Sequence, residues 1–387
     1  MKELYQLLLM TSIFKNVKEK PLFVAFFRYS ESQSIEEKIE AYSAFSYEIH
    51  ENGGSLSELV CRLIFEDENV YIRTRAKKKK VPKALSDAVL HELSVFERFL
   101  SLTDKDFKED LKLDYVTPFS SERVDLVSLY EKRIKGIGRY GYGIFASHPM
   151  FRLSDGMIIE PVKSADKISV SSFVGYEAER GQVIANTEAF VSGRAALNTL
   201  LCGDAGTGKS STVKAVANSF FGRGVRLIEI RKDQLKYLPY VMGKISGNPL
   251  KFIIFIDDLS FNSNDDNFSM LKAALEGSAS AKADNAVIYA TSNRRHIVKE
   301  SFSDRDGDDV HINDTMQELL SLSERFGLVV LFSKPDKNLY LEIVHELAQR
   351  ANIKLPLKEL DLKAEAFALR KGNRSARCAE QFIESLQ

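Results

Sequence analysis

A glycine-rich octet that ends in a lysine and a serine is the strongest chemical signal in this sequence. It reads Gly203-Asp204-Ala205-Gly206-Thr207-Gly208-Lys209-Ser210 and matches the pattern G-x-x-x-x-G-K-[ST]. Glycines allow successive backbone N–H groups to turn inward around an anion, in conformations that a Cβ would obstruct. Lys209 is then expected to reach the β- and γ-phosphates of a nucleotide, and Ser210 to place its hydroxyl on Mg²⁺. We expect the octet and the following Ser211 to line a nucleotide site.

A pair of carboxylates follows an apolar run further along the chain. Residues 252–256 read Phe-Ile-Ile-Phe-Ile, and Asp257 and Asp258 come directly after them. Ligands of open α/β sheets bind at the carboxyl ends of the strands, which is where this pair would lie. Asp257 is the expected partner of Mg²⁺, directly or through water, and Asp258 is the candidate to orient or deprotonate an attacking water. An N-cap for the next helix is the alternative role for Asp258, but it does not explain the pair.

The elements that must position these residues form a βαβ pattern. After about residue 167, short apolar runs alternate with helical stretches, as in a parallel sheet. The glycine-rich octet falls between the first strand and a helix that starts near Ser210, which argues against a chance glycine turn. From residue 339 the periodicity is helical only, over 339–351, 360–370 and 376–385. The candidate strands are 199–202, 226–230, 252–256, 286–291 and 328–332.

The first 166 residues predict a separate, helix-rich domain whose role the sequence leaves open. Helical periodicity covers residues 34–51 and 83–101. A strand is predicted at 69–76, and four consecutive lysines follow it at 77–80. The nearby Glu66, Asp67 and Glu68 offset much of the charge of these lysines, which favours a solvated loop over a nucleic-acid contact. A glycine- and tyrosine-rich run at 135–145 predicts a flexible connection or a loop that faces a partner.

Composition excludes several classes of protein. The 387 residues contain 54 Lys+Arg and 54 Asp+Glu, a balance that argues against a dedicated nucleic-acid or membrane-surface binder but allows a local patch. Three cysteines, odd in number and far apart, predict neither a disulfide framework nor a metal cluster, and a reducing compartment fits them best. The first residues suggest an amphipathic helix, and no apolar run approaches the ~18–20 residues that span a bilayer. We expect a soluble cytoplasmic protein.

From about residue 171 to the end, the chain resembles the AAA+ ATPases. The resemblance is closest to the bacterial predicted ATP-binding proteins of domain of unknown function 815. Besides the glycine-rich octet and its continuation through Ala215, it is carried by residues 173–177 (FVGYE), 255–261 (FIDDLSF), 275–277 (LEG), 289–296 (YATSNRRH) and 322–328 (LSERFGL).

The resemblance implies an α/β fold with three parts. An N-terminal helix-rich domain would cover residues 1–166, and an AAA+ core would cover 167–335. That core would have a parallel five-stranded sheet in an αβα arrangement, with strand order 5-1-4-3-2. A C-terminal helical lid would cover 336–387. The implied cofactors are ATP and Mg²⁺, and the implied reaction is ATP hydrolysis.

Individual roles also follow from the resemblance. Phe173, Val174 and Gly175 correspond to the segment that packs on adenine. Asn293, at the end of the fourth core strand, corresponds to the sensor that hydrogen-bonds the attacking water or the γ-phosphate. An amide suits that role because it responds to the phosphate without titrating.

Two arginine roles follow in the same way. Arg325 resembles the arginine finger that AAA+ subunits insert into a neighbouring site, and such a finger acts in trans and implies a homo-oligomer. An alternative for Arg325 is a surface arginine paired with a carboxylate. Arg377 corresponds to the second sensor, which links the lid to the γ-phosphate, and Arg374 competes with it for this role.

Two departures from the AAA+ pattern shape the predicted function. The pair Asp257-Asp258 stands where most AAA+ enzymes have Asp-Glu, one methylene shorter at the water-activating position, so the resemblance does not by itself imply fast hydrolysis. The stretch 234–240 also lacks the aromatic-hydrophobic-glycine loop of threading unfoldases. The leading hypothesis is therefore an Mg²⁺-dependent ATPase that acts on an unidentified protein partner. The alternatives are a nucleotide-gated scaffold with negligible turnover, and a DNA-associated loader suggested by the lysines at 77–80 and the missing pore loop.

Overall fold

The chain forms two compact units, Met1–Ser147 and His148–Gln387. The computed structural model describes residues 1–162, 168–259, 271–272, 275, 283–293 and 325–387. The boundary expected at 166/167 and the motif residues 260–261, 276–277, 294–296 and 322–324 lie outside the described residues. The first unit ends earlier than the sequence suggested because residues 150–161 form two short strands that belong to the sheet of the second unit.

The first unit consists of helices around a core rich in phenylalanine. Side-chain caps begin several of these helices: the Ser34 and Ser55 hydroxyls accept backbone N–H bonds at 3.1 and 3.3 Å. The helices predicted at 34–51 and 83–101 are confirmed as α4 and α7. The helices are α1 (Lys2–Met10), α2 (Lys15–Lys18), α3 (Pro21–Glu31), α4 (Ile35–Glu51), α5 (Leu56–Glu66), α6 (Val70–Ala76), α7 (Lys83–Leu100), α8 (Asp104–Leu111), α9 (Leu126–Lys135) and α10 (Ile137–Tyr140).

Two predictions for this unit are wrong. Residues 69–76 form the helix α6 and not a strand, because the Asn69 side chain accepts the backbone N–H of Ile72 at 2.9 Å and so caps a helix. The glycine-rich run 135–145 is not a plain connecting loop. It contains the end of α9, the helix α10 and the start of a 3₁₀ turn at Gly143–Ala146, and Tyr142 is buried in the core of the unit.

The second unit is built on a seven-stranded sheet with the order β2-β1-β4-β5-β6-β3-β7. The pairs are parallel except for β1 with β2. The strands are β1 (Met150–Leu153), β2 (Ile159–Pro161), β3 (Thr199–Gly203), β4 (Val225–Glu229), β5 (Lys251–Ile256), β6 (Ala286–Ser292) and β7 (Leu328–Phe332).

The strands β3 to β7 are the five core strands predicted from the sequence. Numbered among themselves they run 5-1-4-3-2 across the sheet, so the predicted order is confirmed. The predicted count of five is too low, because β1 pairs with β4 and β2 extends the same edge. The central strands are buried along nearly their whole length, which explains why they appear in the sequence as short apolar runs.

The C-terminal helices form a core of their own around Tyr340 and Phe382. Asp336 and Ser375 cap two of these helices by accepting backbone N–H bonds at 2.8 and 3.1 Å. Among the described helices of both units, none is long and apolar enough to cross a membrane. The helices of the second unit are α11 (Glu177–Val191), α12 (Lys209–Phe220), α13 (Leu238–Ile245), α14 (Lys337–Arg350), α15 (Leu357–Lys371) and α16 (Ala376–Glu384).

Candidate nucleotide site

The glycine-rich loop joins the carboxyl end of β3 to the first turn of α12. Gly203, Gly206 and Gly208 have φ values of +135°, +79° and +86°, a region that L side chains rarely adopt. At Gly203 an added Cβ would lie 2.0 Å from the carbonyl oxygen of Phe332, so no other residue fits beside β7. These conformations turn the loop around the N-terminus of α12, where backbone N–H groups and the helix dipole favour an anion.

Lys209 is the first residue of α12, its side chain reaches back to the loop, and it is 5% exposed. Its Nζ donates hydrogen bonds to the carbonyl oxygens of Gly203 at 2.9 Å and Asp204 at 2.6 Å. Burial lowers the pKa of the Lys209 ammonium, and the nearby carboxylates of Asp204, Asp257 and Asp258 oppose that shift. The side chain is therefore a buried amine held in place by the carbonyl oxygens of the loop.

Asp257, directly after β5, connects the loop to the neighbouring strand. Its Oδ1 accepts a hydrogen bond from the Ser210 hydroxyl at 2.6 Å and one from the Thr291 hydroxyl at 2.5 Å. The backbone N–H of Asp258 donates to the same oxygen at 3.1 Å. Hydroxyl and carboxylate oxygens are the ligands that Mg²⁺ prefers in nucleotide sites, usually one or two from the protein with phosphates and water completing the shell. Ser210 and Asp257 therefore fit the predicted metal site.

Asp258 and Asn293 meet across the ends of β5 and β6. The Asn293 Nδ2 donates to Asp258 Oδ1 at 2.7 Å, so the predicted water-orienting carboxylate and the predicted sensor are in direct contact. Asp258 has a φ of +52°, and its backbone N–H donates to the Thr291 hydroxyl at 2.9 Å. The alternative role of Asp258 as a helix cap involves residues from 260 onward, which lie outside the described residues.

On the predicted adenine side, the turn at Val174 and Gly175 packs against the C-terminal helices. Gly175 has a φ of +70°, and a Cβ there would lie 2.6 Å from Cδ1 of Leu339 in α14. The Tyr176 hydroxyl donates to the carbonyl oxygen of Ser333 at 2.6 Å, which fixes the turn to the end of β7. The turn therefore joins the sheet to the C-terminal helices beside the glycine-rich loop.

The structure separates the two arginines that compete for the second-sensor role. Arg374 donates two hydrogen bonds to the Glu365 carboxylate, at 3.0 and 2.7 Å, and this pair is confined to the C-terminal helices. Arg377, in the first turn of α16, lines the pocket above the glycine-rich loop. Its backbone N–H also donates to the carbonyl oxygen of Gly206 at 3.3 Å. The geometry favours Arg377.

Arg325 lies at the opposite end of the sheet. It precedes β7, whose first residue, Leu328, pairs with Thr199 at the amino end of β3. The glycine-rich loop begins at the carboxyl end of β3, so the length of that strand separates Arg325 from the loop of its own chain. Arg325 lines a different cavity, which it shares with Arg194. Its position is compatible with a role in trans and not with a role in the site of its own chain.

Most of the predicted site residues line one pocket of about 280 Å³. Gly203 and Asp204 lie beneath it and supply carbonyl oxygens to Lys209, while Gly175 lies in the adjoining turn. The predicted residues around the pocket are Val174, Ala205, Gly206, Thr207, Gly208, Lys209, Ser210, Ser211, Asp257, Asp258, Asn293 and Arg377. Phe173, from the predicted adenine segment, also lines it, and the residues that sequence reasoning did not assign are Tyr176, Arg180, Thr212, Thr291, Ala376 and Glu380.

Thr291 is the most informative of the missed residues. It is 2% exposed, its hydroxyl bridges Asp257 and Asp258, and its carbonyl oxygen accepts the backbone N–H of Leu259 at 2.6 Å. It therefore holds the chain in place just after β5. The sequence feature that could have identified Thr291 is a small polar residue at the end of a strand that neighbours the strand before the acidic pair.

Comparisons with known proteins give a family and distant structural likenesses. No match was found among curated proteins. The Holliday junction branch migration motor RuvB from Thermotoga maritima is similar over 57% of this chain and 72% of its own, with 13% identity and a TM-score of 0.35. AMPPCP-bound DnaA from Aquifex aeolicus is similar over 58% and 65%, with 19% identity and a TM-score of 0.39. Residues 146–387 match the model described as "Protein of unknown function (DUF815)". The chain therefore belongs to the DUF815 family.

Proposed function

We propose that the protein is an Mg²⁺-dependent ATPase of the AAA+ type. One observation carries the proposal: the Asp257 carboxylate accepts hydrogen bonds from both Ser210 of the glycine-rich loop and Thr291 of the next strand. A glycine-rich turn without nucleotide chemistry has no need for a buried lysine and a carboxylate placed on the serine that follows it. Lys209 would hold the β- and γ-phosphates, and the loop N–H groups would cradle them.

The remaining residues of the pocket would position the reaction. Ser210 and Asp257 would hold Mg²⁺, which neutralises phosphate charge when bound. Asp258 would accept a proton from water or orient it, and the Asn293 amide would keep that carboxylate aimed at the phosphates. Val174 and the Gly175 turn would support the adenine.

Arg325 would complete the site of a neighbouring subunit. Its place at the amino end of the sheet supports this, since it cannot serve the loop of its own chain. A permanently charged, bidentate guanidinium suits the developing charge on a phosphoryl group. The working form would then be a homo-oligomer in which Arg377 passes the nucleotide state to the C-terminal helices and so to a protein partner. A cytoplasmic location stays a prediction, which rests on the cysteines.

Phosphate release from ATP tests the proposal. Purified protein with Mg²⁺ should release phosphate, and Lys209→Ala should abolish the release. Lys214→Ala is the matched control: it removes a lysine five residues further along α12, where Nζ pairs with Glu229 at 3.2 Å outside the pocket. The proposal fails if wild-type protein releases phosphate no faster than Lys209→Ala at concentrations that allow assembly.

A nucleotide-gated switch is the second candidate, and Asp258 favours it. One oxygen of this short carboxylate is already engaged by Asn293, which leaves less reach toward a water than a glutamate would have. A switch should bind ATP tightly without releasing phosphate, and Asp258→Glu should not change that. A rate increase in Asp258→Glu would instead show that carboxylate reach limits an ATPase. The DNA-loader alternative has no support from the nucleotide pocket itself.

A further inference from the structure

Away from the nucleotide pocket, the first unit carries a dense run of cations at the end of α6. Between residues 69 and 86 there are seven lysines and arginines and no aspartate or glutamate. All seven side chains are exposed. We call this surface the basic edge. Its members are Arg73, Arg75, Lys77, Lys78, Lys79, Lys80 and Lys83.

The backbone that bears these lysines is ordered by hydrogen bonds. After α6 the chain takes a left-handed turn at Lys78, where φ is +53°. The Lys78 N–H donates to the carbonyl oxygen of Arg75 at 2.9 Å, and the Lys79 N–H donates to that of Thr74 at 3.1 Å. This closes the helix end and holds the lysine backbone against it. The charges are therefore presented on a defined surface.

In the described part of the first unit, the acidic residues just before α6 form no ion pair with the basic edge. Glu66 accepts a hydrogen bond from the Ser147 hydroxyl. Asp67 is buried and accepts hydrogen bonds from two asparagine amides at 2.9 and 3.2 Å. Glu68 lies against Gly143. Within the described residues of the first unit, the ion pairs join other side chains, and none of the seven cations takes part.

A second group of exposed cations lies on the helices α9 and α10. The ring centroids of Tyr71 and Tyr130 are 6.3 Å apart, which places α6 beside α9. Lys132, Lys135 and Arg139 are exposed on α9 and α10, and no aspartate or glutamate occurs between residues 132 and 154. Residues 69–86 and 132–147 are thus two segments of the first unit that carry exposed cations and no acidic residue, in a chain whose total charge is balanced.

We propose that the basic edge binds the phosphodiester backbone of a nucleic acid. Exposed lysines and arginines on a fixed surface are the groups that contact phosphates independently of base sequence. An anionic membrane surface also attracts clustered cations, but stable insertion there would need a broad apolar face beside them. Between residues 69 and 86, Val70 is the large apolar side chain with substantial exposure, at 46%. The proposal does not rest on ATP hydrolysis.

The proposal is tested by fluorescence anisotropy with the full-length protein. The probes are a short labelled DNA duplex and a labelled single strand of the same length. Binding should weaken with salt between about 50 and 200 mM, with a log–log slope of about −4 to −6 for the duplex if most of the edge contacts phosphate. The double variant Lys79→Gln/Lys80→Gln should lower the magnitude of that slope by about 2 and weaken binding about tenfold at low salt.

The double variant Lys105→Gln/Lys108→Gln is the matched control. It removes the same charge from exposed positions of α8 in the same unit, and DNA binding should stay at the wild-type level. Thermal melting of both variants checks that the unit stays folded. The proposal is overturned if neither DNA binds at the lowest salt, or if the control loses as much affinity as the test variant. It is also overturned if polyglutamate or phosphatidylserine vesicles bind through Lys79 and Lys80 while DNA does not.

Discussion

Replacing Thr291 by valine isolates the hydrogen bonds that orient the acidic pair. Valine has nearly the shape of threonine, so the buried site keeps its packing and loses only the hydroxyl. Two bonds disappear: the one donated to Asp257 Oδ1 at 2.5 Å and the one accepted from the Asp258 N–H at 2.9 Å. Asp257 then keeps its bonds from Ser210 and from the Asp258 backbone, but it loses the support from β6.

The expected magnitude follows from the kind of bond that is lost. A hydrogen bond to a charged group contributes about 1.5–3 kcal/mol to stability, so the thermal midpoint of the second unit should fall measurably. Removing a residue that orients a metal ligand typically costs about 10–100-fold in metal affinity or activity. We therefore expect the Mg²⁺ concentration for half-maximal ATPase activity to rise by about 10–100-fold, with a smaller effect on the rate at saturating Mg²⁺.

A magnesium titration of ATPase activity measures this effect, and two variants make it specific. Thr291→Ser keeps the hydroxyl and should retain the wild-type Mg²⁺ dependence. Thr187→Val removes a different fully buried hydroxyl, which bonds the Val183 carbonyl oxygen and the Tyr289 hydroxyl away from the pocket. It should lower stability without changing the Mg²⁺ dependence. A Thr291→Val protein with unchanged Mg²⁺ dependence and a lowered thermal midpoint would refute the positioning role.

Two further predictions concern arginines. Arg377→Ala should lower the ATPase rate by about 100-fold or more, because it removes a cation from the pocket. Arg374→Ala should break only the ion pair with Glu365 and leave the rate unchanged. Equal losses of rate in steady-state assays would contradict the assignment. Arg325→Ala and Lys209→Ala should each be inactive alone and should regain ATPase activity when mixed. The reason is that an intact site would take Lys209 from one subunit and Arg325 from its neighbour. A mixture that assembles normally but stays inactive would argue against an arginine finger that acts in trans.

Much of the candidate pocket could be predicted because the proposed chemistry restricts the residue types at short spacing. The glycines of the octet have positive φ, and Gly203 also lies against the Phe332 carbonyl, so these positions require glycine and the motif can be recognised in the sequence. The contact of Ser210 with Asp257 joins residues far apart in the chain. It was still predictable, because carboxyl ends of parallel strands meet at one edge of the sheet.

The pocket residues that escaped prediction depend on tertiary contacts. A threonine at a strand end has many uses, and only the adjacency of β5 and β6 makes Thr291 a partner of the acidic pair. The choice between Arg374 and Arg377 likewise depends on Glu365, which lies on α15 and engages Arg374 in the loop that follows that helix. No local pattern around either arginine indicates which one faces the pocket.

Errors in the fold arose where local patterns were short or ambiguous. The stretch Val-Tyr-Ile-Arg-Thr at 70–74 has the composition of a strand, but the Asn69 cap and the burial of Ile72 produce a helix. The strands β1 and β2 are too short to show periodicity, and β1 forms because the edge of β4 is available for pairing. These short strands moved the boundary of the first unit.

Titration calorimetry with Mg²⁺ and a non-hydrolysable ATP analogue tests the central claim, that the pocket around Lys209 binds nucleotide. It is the most direct measurement because the ATPase and the switch both require this binding and because it does not depend on turnover. We predict one nucleotide per chain for wild-type protein and for Lys214→Ala, and a loss of binding for Lys209→Ala. Absence of binding to wild-type protein, or equal binding to Lys209→Ala, would contradict the account.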